Sequence, residues 1–486
     1  MNPQSRRQFL TTVAAGGASG WLAVHRSHGD TPPNDDIRVA VVGLRGRGKS
    51  HVGGFGSHVT AVCDVDQGVL EERAAWTEDK VGHPVQRFVD FRKMLDEADI
   101  DAVSIATPNH THALIAIAAI QAGKHVYCEK PVSHNVWEGR QIVNAARRHD
   151  RLVQCGTQSR SSQGIRDAVA YVRAGNLGAI QYVLGTCYKA RPSIGKLNQA
   201  LKIPSNIDYD LWCGPAEKVD LYRPQFHYDW HWDFNTGNGD MGNQGIHQMD
   251  IARWFLGEQT LSPRIFSLGG RVGYEDAGDT PNTQVVIHDY PTAPLIFETR
   301  GMPRSKADHA TWDNAHMDQH RGSQIGVIVQ CERGHVLVSN YLGAVAIDGD
   351  GVEIKRWMGS EDHFENFLQA VTDGDRTQLN AEIEEGHLSS ALCHTGNISH
   401  QLGTPMPIEA LQDMVAEHEL LSDSLSRTRD HLHRNGLNEV SLTAGPWLTM
   451  DPVTEQFIGN DEANRRLTRE YRRPFVITPE PASRVS

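Results

Sequence analysis

Short apolar runs punctuate the chain from residue 37 onward, each closed by a turn residue and followed by a helix-period stretch. Ile37-Arg38-Val39-Ala40-Val41-Val42, closed by Gly43, is the first run. Val59–Cys63, Ala102–Ala106, His125–Cys128 and Leu152–Cys155 repeat the pattern. Apolar runs this short, bounded by turn residues, predict buried strands. Between them the periodicity predicts helices starting near Gln67 and over about 113–122 and 134–148, with Gly123 stopping the second. Such alternation predicts an α/β fold with an N-terminal, doubly wound parallel sheet over 36–160.

After Gly156 the pattern changes. A helix over about 162–173 stops at Gly175-Asn176. Longer β-type runs follow at Ile180–Cys187, Arg264–Val272, Thr283–Tyr290, Leu295–Arg300, Gln324–Gln330 and Gly334–Val338. Their hairpin-like spacing predicts a mainly antiparallel sheet. Helices over about 361–372 and 381–402 complete a second α/β domain, 161–430. Residues 431–486 hold Pro, Arg and little periodicity, and predict a C-terminal surface tail.

Residues 1–35 read differently. Ser5-Arg6-Arg7-Gln8-Phe9-Leu10 precedes a modestly apolar stretch, 11–24, and then a linker with Pro32-Pro33. This resembles a twin-arginine export signal and predicts a periplasmic protein. The stretch is too short and weakly apolar for an integral membrane span. Whether the signal is cleaved or kept as an N-terminal anchor stays open.

Composition narrows the function. A net charge of −13 with no long basic run excludes nucleic acid as a partner. Seven cysteines include no Cys-x-x-Cys, and Cys63, Cys128 and Cys155 fall in predicted strands, so they read as small core residues.

The candidate chemistry lies at strand ends. Gly43-Leu44-Arg45-Gly46-Arg47-Gly48 permits a tight turn and close approach of backbone to a pyrophosphate, with Arg45 and Arg47 adding charge. The helix that follows would aim its amides at the phosphates. Asp64 ends the second strand, where a ribose 2′-OH is held; this favours NAD over NADP. Asp66 competes for that role, and either residue suits a helix cap. Thr107-Pro108-Asn109 with His112, and Glu129-Lys130-Pro131, follow the next two strands at the edge where open α/β sheets bind ligands. Further on, glycines from Gly237 to Gly245 enter a helix carrying Asn243 and His247, four residues apart on one face. They read as an acid/base pair. His227, Asp229, His231 and Asp233 are zinc-type ligands, but Phe226, Tyr228, Trp230 and Trp232 interleave them. A sugar-stacking or packing loop is the better reading, and no metal is assigned.

Taken together, the Gly43–Gly48 loop, Asp64, Thr107-Pro108-Asn109-His110, Gly123–Val126 with Glu129-Lys130-Pro131, and Gly239-Asp240…Gly245-Ile246-His247…Asp250 resemble the Gfo/Idh/MocA oxidoreductase family over 37–403. The arginine signal, Tyr188–Gly195 and Ala444–Trp447 resemble a secreted bacterial subgroup. The resemblance implies a Rossmann domain and an α/β domain whose large open-faced sheet is often used for oligomerisation, here a homodimer or tetramer. It implies NAD(P) and a small carbohydrate or polyol. Lys130 would be the substrate-binding catalytic lysine and His247 the acid/base residue. The common pattern has Asp four residues before that histidine; Asn243 stands there, and an amide can position but not take a proton. Lys189, Arg191, Trp232 and Asp233 complete the expected substrate contacts. Export further implies a tightly held, recycled cofactor. The expected activity is hydride transfer; the alternatives are redox-neutral glycoside cleavage through transient oxidation and non-catalytic NAD binding.

Overall fold

The computed structural model describes residues 37–481, so the expected export signal lies outside the described residues. Six parallel strands form the first sheet: β1 (Val39–Val42), β2 (Val59–Cys63), β3 (Gln86–Phe88), β4 (Ala102–Ile105), β5 (His125–Cys128) and β6 (Val153–Cys155). Their order is β3-β2-β1-β4-β5-β6. The order reverses between β1 and β4, and this opens a crevice at the carboxyl ends of the strands. Both β1 and β4 are buried along their whole length, which is why they read as unbroken apolar runs. β3 and the helix after it, α3 below, lack such a run and gave no signal.

The helices of this half are α1 (Arg47–Phe55), α2 (Gln67–Val81), α3 (Phe91–Glu97), α4 (Asn109–Gln121) and α5 (Val136–Arg148). Asp66 caps α2 by accepting from the amides of Gly68 and Val69. α4 begins at Asn109, earlier than the apolar stretch suggests, because the polar Asn109-His110-Thr111-His112 forms its buried first turn.

The second sheet has twelve strands. After α6 (Gln163–Arg173) come β7 (Ile180–Tyr188), the short α7 (Tyr209–Cys213), α8 (Ile246–Leu256), β8 (Arg264–Gly270), β9 (Thr283–His288) and β10 (Leu295–Arg300). β11 (Ile325–Cys331), β12 (Gly334–Val338), β13 (Gly343–Asp348) and β14 (Glu353–Met358) follow. The spatial path runs β14-β13-β12-β11-β7-β10-β9-β8, and the β7–β10 pair is parallel. β14 is an exposed edge strand and so carries no apolar run to read.

Two helices tie the halves together. α9 (His363–Asp373) places Phe367 and Leu368 in the core of the first sheet, beside Val39, Val41 and Phe55. α10 (Ile383–Gln401) starts in the core on the opposite face of the first sheet through Ile383 and continues into the core of the second sheet through Leu388, Leu392 and Ile398. The first sheet is therefore completed by residues some two hundred positions further along the chain.

Over its described residues the expected surface tail, 431–486, is more ordered than that, and so is the chain between α10 and it. β15 (Thr404–Pro407), β16 (Ser441–Ala444) and β17 (Leu448–Asp451) extend the second sheet beyond β8, with β18 (Gln456–Phe457) paired to β17. α11 (Ile408–Val415) and α12 (Glu419–Arg434) lie on the sheet face expected to be open. Leu411, Leu421, Leu425 and Leu432 pack there against Phe266, Ile287, Ile296 and Ile328. Leu421, Leu425 and Leu432 are one narrow stripe in a mostly polar helix, too sparse to stand out. Among the described residues, no helix is long and apolar enough to cross a membrane.

Leu425 is fully buried under this helical cover. Leu425→Ala should lower the unfolding free energy by about 2–5 kcal/mol, read from chemical denaturation.

Candidate active site

One cleft of about 1020 Å³ runs along the carboxyl edge of the first sheet and continues against the π-helical turn before α8. Its nucleotide end is built from the glycine loop. Gly43 has φ +84°, and a Cβ there would stand 2.8 Å from the Ala106 backbone. A Cβ on Gly48 would stand 1.8 Å from the Gly43 carbonyl oxygen. These two glycines let α1 start hard against β1. Gly46 (φ +44°) has open space where a side chain would be, and the first turn of α1 has no side-chain cap. The result is an open ledge at the start of α1, which fits a pyrophosphate.

Asp64 lines the cleft next to this ledge. Its Oδ2 accepts from the Leu44 amide at 2.8 Å and its Oδ1 from the Asp66 amide at 3.0 Å. Burial pushes its carboxyl up to about 6. Asp66 faces elsewhere, capping α2 and pairing with His227 Nε2 at 3.0 Å. The two acids are thus separated: Asp64 is the cleft residue and Asp66 the cap.

At the middle of the cleft Glu129 gathers four donors. Arg47 Nε donates to its Oε1 at 2.6 Å, His51 Nε2 at 3.0 Å and Gln158 Nε2 at 3.2 Å. The Lys130 amide donates to Oε2 at 3.2 Å. Burial alone would raise the Glu129 carboxyl, but the His51 hydrogen bond and the Arg47 charge hold it well below the usual range. Burial lowers His51, which is consistent with a neutral ring whose Nε2–H donates to Glu129 while Nδ1 accepts from Ser104 Oγ at 2.7 Å. His51 and Ser104 were not read from the sequence. His51 lies four residues after Arg47 on α1, and that spacing was the available signal.

Thr107, Pro108, Asn109 and His112 all line the cleft. The Asn109 amide donates to Asn238 Oδ1 at 3.0 Å, and the His112 ring nitrogens lie 2.7 Å from the carbonyl oxygens of Thr107 and Pro131. His112 therefore ties the two strand-end loops together.

At the far end Lys130 Nζ donates to the Asn243 carbonyl. Burial lowers the lysine from its ordinary value, and the nearby charge of Glu129 opposes that. His247 also lines the cleft, its ring centroid 5.1 Å from that of Tyr341. Its Nδ1 is buried without a partner, and burial together with the Lys130 charge pushes the ring down to about 3. Met241–Gly245 is a π-helical turn, wider than an α-turn. The expected pairing of Asn243 with His247 is not made among the described hydrogen bonds; Asn243 acts through its backbone oxygen on Lys130 instead.

Three expected substrate residues and one glycine fall outside the cleft lining. Arg191 is clamped by Asp240 (2.9 and 2.5 Å) and lies over the Trp232 ring at 4.9 Å. Asp233 pairs with Arg223 at 3.3 Å. These side chains brace the loop behind the site. Gly48 serves by close packing, not by contact. Lys189 does line the cleft, its Nζ 3.3 Å from Gln244 Oε1. So do His227, Tyr228, Trp230 and His231, the last stacked on Trp230 at 3.6 Å. His227 and His231 are engaged with Asp66 and Trp230, not with each other.

Residues 37–157 match the family described as "Oxidoreductase family, NAD-binding Rossmann fold", and residues 180–291 match "Oxidoreductase family, C-terminal alpha/beta domain". Models of both domains of the Gfo/Idh/MocA oxidoreductase family thus match, in order along the chain. It is 32% identical to a glycosyl hydrolase family 109 protein of Solibacter usitatus over 31% of this chain and 38% of that one. It is 36% identical to inositol 2-dehydrogenase 1 of Saccharopolyspora erythraea over 29% and 43%. These matches span less than half the length of either relative. In fold it is similar to the WlbA dehydrogenase of Bordetella pertussis, solved with NADH and UDP-GlcNAcA (TM-score 0.53, 18% identity, 74% of this chain and 94% of that one).

Glu129→Gln should weaken the join between α1 and the Lys130 loop, lowering stability by about 1–3 kcal/mol. Because the Glu129 carboxyl is depressed when folded, its contribution is present above its ordinary value of 4.5 and fades as the pH falls. Denaturation of wild type and variant should therefore differ at pH 7 and converge in acid.

Proposed function

We propose that this protein is an NAD-dependent oxidoreductase moving hydride between a retained nicotinamide cofactor and the carbinol carbon of a sugar or cyclitol. The observation that carries this is the single cleft, with Asp64 and the bare glycine ledge at one end and Lys130 and His247 at the other. The Asp64 carboxylate suits a free ribose diol and would repel a 2′-phosphate, which favours NAD over NADP. A bound nicotinamide supplies the hydride acceptor or donor at the catalytic end.

The residues divide the proton work. A general base works best with a pKa near the operating pH. Lys130, lowered by burial, approaches that condition from above, whereas His247 is far below it. Lys130 therefore takes the hydroxyl proton, and neutral His247 orients the same hydroxyl by hydrogen bonding. Lys130→Met should lower the rate of bound-cofactor reduction at saturating substrate by about a hundred- to ten-thousand-fold. In the oxidising direction the rate should rise with pH to a midpoint below 10.5, as Lys130 loses its proton. Stopped-flow absorbance of the cofactor checks both effects. The limb should persist in His247→Gln; if it also persists in Lys130→Met, the lysine is not the base.

Retention of the cofactor has its own support. The strand end that holds Asp64 is strapped by a later segment. Gln67 N donates to Asn206 O (2.9 Å), Asp208 N to Val65 O (2.9 Å) and Asn206 Nδ2 to Asp66 Oδ1 (2.7 Å), and His227 closes on the same Asp66. Phe226, Tyr228 and Trp230 extend this strap along the cleft. The arginine pair before the apolar stretch of residues 11–24 supports export, and a protein working where free NAD is scarce needs such a hold. Mass spectrometry of denatured protein, purified without added nucleotide, should find NAD near one per chain. The double variant Asn206→Ala/His227→Ala should lose it on dialysis. A wild-type protein that arrives empty would count against retention.

The relative named as a glycosyl hydrolase supports a second reading, in which the same hydride chemistry is transient and a glycosidic bond is cleaved without net redox change. Release of aglycone with no net change in bound cofactor would favour it.

A further inference from the structure

We propose that the substrate is a sugar acid, a monosaccharide-sized carbohydrate bearing a carboxylate, and that Lys189 receives that carboxylate. The inference rests on the oxidoreductase reading above.

Charge pairing around the catalytic end singles this lysine out. Arg47 is matched by Glu129 at 2.6 Å, Arg191 by Asp240 at 2.5 Å and Arg223 by Asp233 at 3.3 Å. Lys130 is spent on the Asn243 carbonyl and on the proton transfer. Lys189 follows the last residue of β7 and lines the cleft, with an amide oxygen, Gln244 Oε1, as its hydrogen-bond partner at 3.3 Å. Gln244 donates in turn to the Tyr341 hydroxyl, so the lysine is held in place but not neutralised.

The carboxylates that line this cleft are Asp64, at the nucleotide end, and Glu129, already saturated. A cation at the wall of a cavity, with no ion-pair partner among the described residues, attracts an anionic ligand group more than a neutral one. A bound nicotinamide ring in its oxidised, cationic form adds to the same field. A neutral sugar would leave both charges uncompensated.

The neighbouring groups suit the rest of such a molecule. Trp230 and His231, stacked at 3.6 Å, offer a flat apolar platform to the C–H face of a sugar ring. Gln158, Gln244 and Tyr341 supply hydroxyl partners. One lysine, without the arginine fork that favours bidentate phosphate binding, matches a singly charged carboxylate.

The test uses the full chain with its cofactor bound. Reduction of the bound cofactor is followed with matched pairs: D-glucuronate against D-glucose, D-galacturonate against D-galactose, and glucose 6-phosphate as a third arm. At least one acid should exceed its neutral partner about tenfold or more in the second-order rate constant for cofactor reduction, and the margin should shrink at high salt. Lys189→Gln should cut that rate constant for the acid about ten- to one-hundred-fold, chiefly by raising the half-saturating substrate concentration and not by lowering the limiting rate, and Lys189→Arg should restore most of it.

A neutral sugar that equals or beats its acid overturns the inference and leaves the redox reading standing. A clear preference for the phosphate overturns the carboxylate. A cofactor that no member of the panel reduces counts against the redox reading itself. In that case calorimetric titration of the loaded protein with D-glucuronate and D-glucose decides the inference: tighter binding of the acid, lost in Lys189→Gln, supports it, and equal or absent binding overturns it.

Discussion

Everything in the site hangs on one buried carboxylate. Glu129 sits at the end of β5 and receives Arg47 and His51 from α1, Gln158 from beyond β6 and the amide of its own neighbour Lys130. An unpaired charge in that position would be strongly destabilising, so ionised Glu129 requires these donors around it. Meeting that requirement fixes the first turn of α1 relative to Lys130. The glycine ledge and Lys130 are positioned by the same ion cluster.

The second sheet contributes by bringing distant chain to this point. β7 ends beside the cleft and delivers Lys189, and the π-helical turn before α8 presents the Asn243 carbonyl to Lys130 and the ring of His247 to the cavity. In a regular α-turn Asn243 and His247 would share one face; here Asn243 meets Lys130 through its backbone oxygen. Behind the lining, Arg191–Asp240 and Arg223–Asp233 brace the aromatic loop without entering the cleft. Their charges are consumed in structure, whereas Lys189, beside the Gln244 amide, makes no ion pair among the described residues.

Rigidity and enclosure follow from two long-range straps. α9 and α10 finish the core of the first sheet from the far end of the chain, and the segment around Asn206 and His227 closes over the end of β2. The strands after α10 and the helices α11 and α12 then cover the outer face of the second sheet. The end of β2 is thus held by residues more than a hundred positions further along the chain.

Much of this was legible in the sequence, and the division has a physical basis. Strands buried on both faces, such as Val39–Val42 and Ala102–Ile105, must be apolar throughout, so the parallel sheet showed itself as runs. Gly43 and Gly48 were legible because backbone packing leaves no room for a Cβ, and Glu129-Lys130-Pro131 because it follows a buried strand at the ligand edge. Edge strand β14 and the sparse stripe of α12 carried no strong period. Whether Arg191 or Lys189 faces the cavity was beyond local reading, because both follow the same strand. Only tertiary packing decided it, by placing Asp240 within reach of one and an amide beside the other. Sequence sets which residues can bear charge; the fold decides which of those charges find a partner.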